Sequence, residues 1–231
     1  MKLLVDSRQL WAAATNCYVV APEPGGPAVI VDAPPDTDGI GDLLASHDLT
    51  PVALLVTHGH VDHAGGAGSI VRAAQIDAGL RAGLRAYVHP DDDFLTLHPA
   101  RQIELMFGVG VSSEDRAALA PPARFEPLAD GAVLDLAGIQ IEVLHTPGHT
   151  PGHCCFLVRR EGLLFSGDQL FAGSIGRTDL PGGDHGALMR SMADKVLVLR
   201  DDTDVLPGHG PVTTLARERL VNPFLQELLR P

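Results

Sequence analysis

The sequence predicts an α/β layered domain in which two strand-rich halves stack as a sandwich, with helices on the outer faces. Short apolar runs alternate with helix-like segments in the first half, and a second set of strand-like runs begins near residue 132. Alternating strands and helices are typical of layered α/β domains. At 231 residues the chain can bury one large core, and no linker is evident, so we expect a single domain over residues 1–231.

In the first half, Pro/Gly turns separate the apolar runs. Strands are predicted at residues 3–5, 16–20, 28–31, 52–56 and 85–88, and helices at 37–46 and 68–78. The second half predicts strands at residues 132–136, 139–144, 154–158, 163–165 and 204–206, and a helix at about 187–199. Each half therefore supplies several strands to the predicted sandwich.

Residues 91–127 have no clear periodicity. Asp91, Asp92 and Asp93 favour the solvated start of a helix over a metal cluster, because acidic side chains suit a helix N-terminus. The apolar residues 103–107 are expected to cover the active site as a flap or to form a subunit contact. Residues 120–122, Ala-Pro-Pro, indicate a loop.

Composition excludes several classes of protein. The net charge is −12 with no basic cluster, which disfavours a nucleic-acid partner. No apolar run reaches 18 residues and the N-terminus lacks the pattern of a secretory signal, so we expect no membrane partner. Cys17, Cys154 and Cys155 do not form a disulfide framework, which favours the cytoplasm. We expect a monomer or a small homo-oligomer that acts on a small molecule.

The most informative segment is residues 57–63, Thr-His-Gly-His-Val-Asp-His, directly after a predicted buried strand. Imidazole nitrogen and carboxylate oxygen are ligands that zinc and similar divalent metals prefer. His58 and His60 are two positions apart, which puts both side chains on one side of an extended backbone. We therefore expect a metal site in a loop at the tip of this strand.

Three later strands also end in polar loops. His149, Asp168 and His209 each lie beside or near glycine in such a loop, which lets the backbone approach an ion closely. Together with the first cluster they give seven candidate ligands. Seven exceed the needs of one tetrahedral zinc but suit two metals that share a bridging carboxylate.

With these residues the chain resembles the metallo-β-lactamase superfamily, whose His-x-His-x-Asp-His signature matches residues 58–63. The resemblance implies an αβ/βα sandwich of two mixed β-sheets, with a binuclear site at one edge. By motif, it implies a first metal at His58, His60 and His149, a second at Asp62, His63 and His209, and a bridge at Asp168. It implies two divalent ions, with zinc expected first and iron or manganese as alternatives.

Within this superfamily, the chain looks most like the short bacterial type II glyoxalases, the hydroxyacylglutathione hydrolases. This closer resemblance rests on the sequences of residues 173–184 and 208–225. This implies cleavage of S-lactoylglutathione or a related thioester by a hydroxide that bridges the metals. Asp62 and Asp168 would be the catalytic carboxylates. Arg177 is the nearest counterpart of a basic glutathione-contacting residue, although an ion pair with Asp179 or Asp184 is an alternative. The family's aromatic contact and C-terminal helical domain are not matched here.

A persulfide dioxygenase is the alternative function. That family shares the fold, the His-x-His-x-Asp-His signature and Gly-Arg-Thr-Asp in the same loop, here residues 176–179. It is expected to use one iron, held by two histidines and an aspartate. Because both families contain the ligand residues, the signature does not decide how many metals bind. The longer match through residues 180–184 and 222–225 favours the hydrolase.

Overall fold

Two six-stranded mixed sheets form the centre of the protein. The computed structural model describes residues 2–76 and 83–228. The first sheet contains, in hydrogen-bonded order, β1 (Leu4–Leu10), β2 (Thr15–Ala21), β3 (Pro27–Val31), β4 (Thr50–Leu55), β5 (Arg85–Val88) and β6 (Glu126–Pro127). Its first three strands are antiparallel, and β3 to β6 are parallel.

The second sheet is built from the later strands. They are β7 (Val133–Leu136), β8 (Ile139–His145), β9 (Cys154–Val158), β10 (Leu163–Gly167), β13 (Asp204–Pro207) and β14 (Thr213–Thr214). Their order in the sheet is β14-β13-β10-β9-β8-β7, and only β10 and β13 run parallel. A separate short hairpin contains β11 (Leu170–Phe171) and β12 (Ser174–Ile175).

Nine helices lie in the described part of the chain. They are α1 (Thr37–Ala45), α2 (Val61–Ala64), α3 (Ala67–Ile76), α4 (Asp93–Thr96), α5 (Pro99–Phe107), α6 (Ser113–Ala118), α7 (His185–Ser191), α8 (Leu215–Val221) and α9 (Pro223–Leu228). A 3-10 turn, Pro90–Asp92, precedes α4, and a π-helical turn, Met192–Val196, extends α7. None of these helices has the length and apolar run needed to cross a bilayer.

Three apolar clusters hold the layers together, and β2 shows how one strand serves two of them. All seven of its residues are buried. Because successive strand residues face opposite sides, Cys17 and Val19 pack on the layer that contains α1 and α3. Tyr18 and Val20 pack in the cluster between the sheets. The third cluster packs the second sheet against the helices that follow it, including Leu188, Met192 and Leu215.

Most predicted elements are confirmed within a few residues, and the differences have physical causes. The strand predicted at 3–5 extends to Leu10 because it pairs with all of β2, although its polar residues 6–9 gave no apolar signal. The helix predicted at 187–199 ends in the π-helical turn at Val196. The last two residues of the helix predicted at 68–78 lie outside the described residues. The helices α8 and α9 were not predicted.

Candidate metal centre

The seven candidate ligands meet at one edge of the sandwich, where the two sheets are joined. Because β10 and β13 are parallel, their carboxyl ends share this edge, and Asp168 and His209 follow them. The Cys154 amide donates to the Thr57 carbonyl at 2.7 Å, and the Asn16 amide donates to the Gly208 carbonyl at 2.8 Å. These hydrogen bonds connect the sheets beside the ligands and so fix the position of the loops.

One part of the cluster contains only imidazoles, and we call His58, His60 and His149 the three-histidine group. Nε2 of His58, Nδ1 of His60 and Nε2 of His149 form a triangle with sides of 2.9, 3.1 and 3.2 Å. A tetrahedral zinc ion with nitrogen ligands separates its ligand atoms by about 3.3 Å. The three nitrogens are thus spaced within a few tenths of an ångström of that requirement.

The other part contains a carboxylate, and we call Asp62, His63 and His209 the aspartate group. Nε2 of His63 and Nε2 of His209 are 3.2 Å apart. Oδ2 of Asp62 lies 3.4 Å from the first nitrogen and 3.2 Å from the second. This triangle also fits a small divalent ion.

Asp168 lies between the two groups. Its Oδ2 is 3.5 Å from Nε2 of His149 and 3.6 Å from Nε2 of His209, while Oδ1 is 3.4 Å from Nε2 of His63. Oδ1 is buried and has no hydrogen-bond donor among the described residues. A buried carboxylate oxygen without a donor is costly unless a cation is nearby. The position and the missing donor both suit a carboxylate shared by two ions.

The prediction that all ligands of residues 58–63 project from a loop is wrong for two of them. His60 precedes α2, and Asp62 and His63 lie within this four-residue helix. The extended backbone was expected to continue, but the His63 and Ala64 amides both donate to the His60 carbonyl and form a helical turn. This turn directs Asp62 and His63 towards His209, whereas His58 and His60 face His149.

Burial and charge give the two groups different protonation. Burial lowers the pKa of His60 to about 3 and that of His149 to about 4, and it also lowers the pKa of His58. Their nitrogens therefore stay neutral and free to bind metal at neutral pH. Burial acts in the same direction on His63, but the carboxylates of Asp62, Asp32 and Asp168 raise its pKa above the ordinary value.

Asp32, a residue not predicted from sequence, orients one histidine in each group. Its Oδ2 accepts a hydrogen bond from Nδ1 of His63 at 2.8 Å, and its Oδ1 accepts from the Thr57 amide at 2.7 Å. The Thr57 hydroxyl donates to Asp32, so its oxygen accepts from Nδ1 of His58 at 3.0 Å. Both histidines thus direct Nε2 into the cluster. Such partners fix the tautomer of metal-binding histidines.

Two further residues outside the predicted set hold the loop between His58 and Val61. The buried Asp92 carboxylate accepts hydrogen bonds from the Gly59 amide, the Thr150 hydroxyl and the Gly152 amide, each at 2.7 Å. The 3-10 turn and α4 confirm that residues 91–93 start a helix, but the expectation that Asp92 is solvated there is wrong. On α5, the Gln102 amide group donates to the Gly59 carbonyl and accepts from the Val61 amide. Asp92 and Gln102 thus hold the ligand loop in place.

Arg177 shows the ion pair that was the alternative to a substrate contact. Its guanidinium donates to both carboxylate oxygens of Asp179 at 2.7 Å. Its backbone carbonyl accepts a hydrogen bond from Nδ1 of His149 at 2.7 Å, which directs Nε2 of that histidine into the cluster. The contact between the Arg177 side chain and a substrate stays a prediction.

Comparisons with known proteins identify the family of this chain. A family model described as the metallo-beta-lactamase superfamily matches residues 10–209. The uncharacterized protein Rv2581c of Mycobacterium tuberculosis is 43% identical over 94% of this chain and 95% of its own length. The hydroxyacylglutathione hydrolase GloC of Haemophilus influenzae is 34% identical, over 86% of this chain and 87% of its own.

Two solved structures are similar over nearly the full chain. The crystal structure of BLEG-1 B3 metallo-beta-lactamase has a TM-score of 0.82 and 34% identity, covering 96% of this chain and 99% of that one. TTHA1623 in a di-iron-bound form has a TM-score of 0.80 and 36% identity, covering 95% and 100%. They confirm the predicted sandwich of two mixed sheets with helices, and the family and ligand cluster support a metal-dependent hydrolase. The protein belongs to the metallo-β-lactamase superfamily.

Proposed function

We propose that this protein is a thioester hydrolase with two divalent metal ions, and that its reaction is of the glyoxalase II type. The observation that supports this most directly is the pair of facing ligand groups with the Asp168 carboxylate between them. The likeness to GloC, whose name states hydroxyacylglutathione hydrolysis, supports the choice of a thioester. We expect zinc first, although the di-iron form of TTHA1623 makes iron a direct alternative.

In this proposal His58, His60 and His149 hold one ion, Asp62, His63 and His209 hold the other, and Asp168 contacts both. When bound, the two ions supply a nucleophile at neutral pH and polarise the carbonyl oxygen. Asp62 would both hold a metal and orient the nucleophile, and the Thr15 hydroxyl donates to its Oδ2 at 3.1 Å and so fixes this carboxylate. The catalytic carboxylates are therefore Asp62 and Asp168.

Hydrolysis adds water across the C–S bond of the thioester. The acyl carbon gains the oxygen and becomes a carboxylate, the sulfur leaves as a thiolate that takes up a proton, and one further proton is released. Because a thiolate is a good leaving group, no strong general acid is needed.

The persulfide dioxygenase alternative makes a different use of the same residues. One iron would need two histidines and one aspartate, such as His58, His149 and Asp168, which leaves the other four candidate ligands without a role. The ETHE1 structure from Myxococcus xanthus is 23% identical, so its likeness concerns the fold alone. The fit of both ligand triangles to an ion favours the binuclear hydrolase.

The test is metal analysis of the purified protein together with three activity assays on one preparation. We expect two metals per chain and cleavage of S-lactoylglutathione, with neither oxygen uptake on glutathione persulfide nor hydrolysis of a chromogenic β-lactam at a comparable rate. One iron per chain with oxygen uptake would identify a dioxygenase and refute the hydrolase. β-Lactam hydrolysis as the dominant activity would also refute it, and would instead agree with the activity for which BLEG-1 is named.

A further inference from the structure

A cleft of about 770 Å³ opens beside the three-histidine group, and His60 forms part of its wall. The rest of the lining comes from α4, from His98 and α5, and from residues 177–181. Its apolar members are Phe94, Leu95, Leu105, Leu180 and Pro181. Because His60 is one of the candidate metal ligands, a group bound in this cleft lies next to the proposed metal centre.

Two of these apolar side chains are unusually exposed. Leu105 is 70% exposed and Phe94 is 47% exposed, although both are large. An apolar ligand that covers such a surface removes it from water, which stabilises the complex. The lining therefore fits a hydrocarbon group better than a peptide-like group with many charges.

Of the two arginines that line this cleft, Arg101 is the one without an ion pair among the described residues. No side-chain hydrogen bond or ion pair joins its guanidinium to another residue within 2–76 or 83–228. The neighbouring acid on α5, Glu104, is paired with Arg116, and Arg177 is paired with Asp179. An unpaired guanidinium beside an apolar wall is suited to a carboxylate at the end of an apolar chain.

We propose that this cleft binds the acyl part of the substrate, that the acyl chain is apolar, and that Arg101 pairs with a carboxylate at its far end. This inference rests on the proposed thioester hydrolysis and specifies its substrate class as ω-carboxyacyl thioesters. The thiol part then lies outside the cleft. Arg101 and Leu105 are specificity-determining residues, and neither contacts the reacting atoms.

The test uses the metal-loaded full-length protein and thioesters of one small neutral thiol, N-acetylcysteamine. Acetyl and hexanoyl thioesters measure the apolar contribution, and the adipoyl thioester and its methyl ester measure the contribution of the carboxylate. We expect kcat/KM to rise about twofold to fourfold per methylene. We expect the adipoyl thioester to exceed its methyl ester about fivefold.

Variants locate the two contributions. Leu105→Ser should lower the hexanoyl-to-acetyl ratio about threefold, and Arg101→Gln should bring the adipoyl thioester and its methyl ester to equal kcat/KM. The matched controls are Leu220→Ser, at a residue that is 77% exposed on α8, and Arg200→Gln, whose guanidinium pairs with Asp202. Both controls should keep the wild-type ratios.

The outcomes separate this inference from the proposed function. If wild-type protein cleaves none of these thioesters or S-lactoylglutathione, the proposed function fails. If it cleaves them without acyl preference, or if preference follows the thiol in a second series with a constant acetyl group, only the acyl assignment fails. If Arg177→Gln rather than Arg101→Gln removes the carboxylate preference, Arg177 is the anion-binding residue and the role of Arg101 is refuted.

Discussion

The two ligand groups differ in charge before any ion is added. The three-histidine group contains imidazoles whose pKa values are lowered by burial, so its nitrogens are neutral over the whole physiological range. In the aspartate group, burial also disfavours the charged imidazole, but nearby carboxylates raise the pKa values of His63 and His209. Protons therefore compete with metal ions at the aspartate group, and hardly compete with them at the three-histidine group.

This difference has a source in the chain. The three-histidine group is supplied by the loop after β4 and the loop after β8, with no acid inside its triangle. In the aspartate group Asp62 lies one residue before His63 on α2, and Asp32 contacts the other side of the same imidazole. Residues 58–63 thus contribute ligands to both groups, whose electrostatic environments differ. The helical turn after His60 separates the ligands of one group from those of the other.

The largest effect is expected at the residue that the groups share. Asp168→Ala removes the carboxylate that lies near His149, His63 and His209. We expect loss of both ions and a fall in kcat/KM on the order of a thousandfold, since losing even an outer partner of a ligand costs ten- to a hundredfold. Metal content and thioester hydrolysis are measured together, with the surface variant Asp202→Ala as control. Full turnover by Asp168→Ala would disprove the bridging role.

Acidification should separate the groups. Because their pKa values are raised, His63 and His209 take up protons at a higher pH than an ordinary imidazole. On acidification, affinity at the aspartate group therefore falls about tenfold per pH unit for each proton displaced. With pKa values of about 3 and 4, His60 and His149 bind no proton until far lower pH. Dialysis at pH 5.5 should therefore leave one metal per chain where pH 7.5 leaves two.

The variant His209→Ala tests which group retains its ion, because it removes a ligand from the aspartate group alone. This variant should hold one metal at both pH values and match the wild-type protein at pH 5.5. Simultaneous loss of both metals on acidification, or retention of two, would contradict the difference in protonation between the groups.

Asp32→Asn should weaken both groups, since this carboxylate orients His63 directly and His58 through Thr57. All partners of the Asp32 carboxylate are hydrogen-bond donors. The NH2 group of an asparagine would therefore face another donor and lose that hydrogen bond. We expect metal affinity to fall about tenfold to a hundredfold at each group. The matched control is Asp36→Asn, at the N-cap of α1, where asparagine caps equally well. Loss at the aspartate group alone would show that the path through Thr57 has no effect.

The seven candidate ligands could be predicted from the sequence, because four of them lie in one short motif. Residues 58–63, His149, Asp168 and His209 could be found because each follows an apolar strand and lies beside or near glycine. The αβ/βα sandwich followed from the same alternation and from the family resemblance. Seven side chains were thus brought together correctly, although their distances and protonation depend on contacts between distant parts of the chain.

The residues that sequence reasoning missed act through such long-range contacts. Asp32 precedes Ala33 and Pro34 in an ordinary turn-like segment, and Gln102 lies in a stretch without clear periodicity. Asp92 was misread because three consecutive acids resemble a solvated helix start, whereas its carboxylate is buried and accepts three hydrogen bonds. An acid that directly follows a strand was the one available signal for Asp32.

Asp92→Asn should affect the three-histidine group alone. Its partners at Gly59, Thr150 and Gly152 lie beside His58, His60 and His149, and all three are donors. An asparagine would leave at least one buried donor unsatisfied, at a cost of about 2 kcal/mol. We expect a lower free energy of unfolding and weaker retention of the ion that survives at pH 5.5. Equal weakening of both ions would show that Asp92 supports the whole edge.

Thr15→Val is the counterpart for the aspartate group and the smallest change. The Thr15 hydroxyl is buried and donates to Oδ2 of Asp62 at 3.1 Å. Valine keeps the shape and removes one hydrogen bond worth about 1 kcal/mol, which corresponds to roughly a fivefold loss of affinity. Because Asp62 stays ionised near two histidines, we expect this loss only for the ion released on acidification. Metal competition with a chelator at pH 7.5 measures it, and an equal loss at the three-histidine group would mean that the two groups do not bind independently.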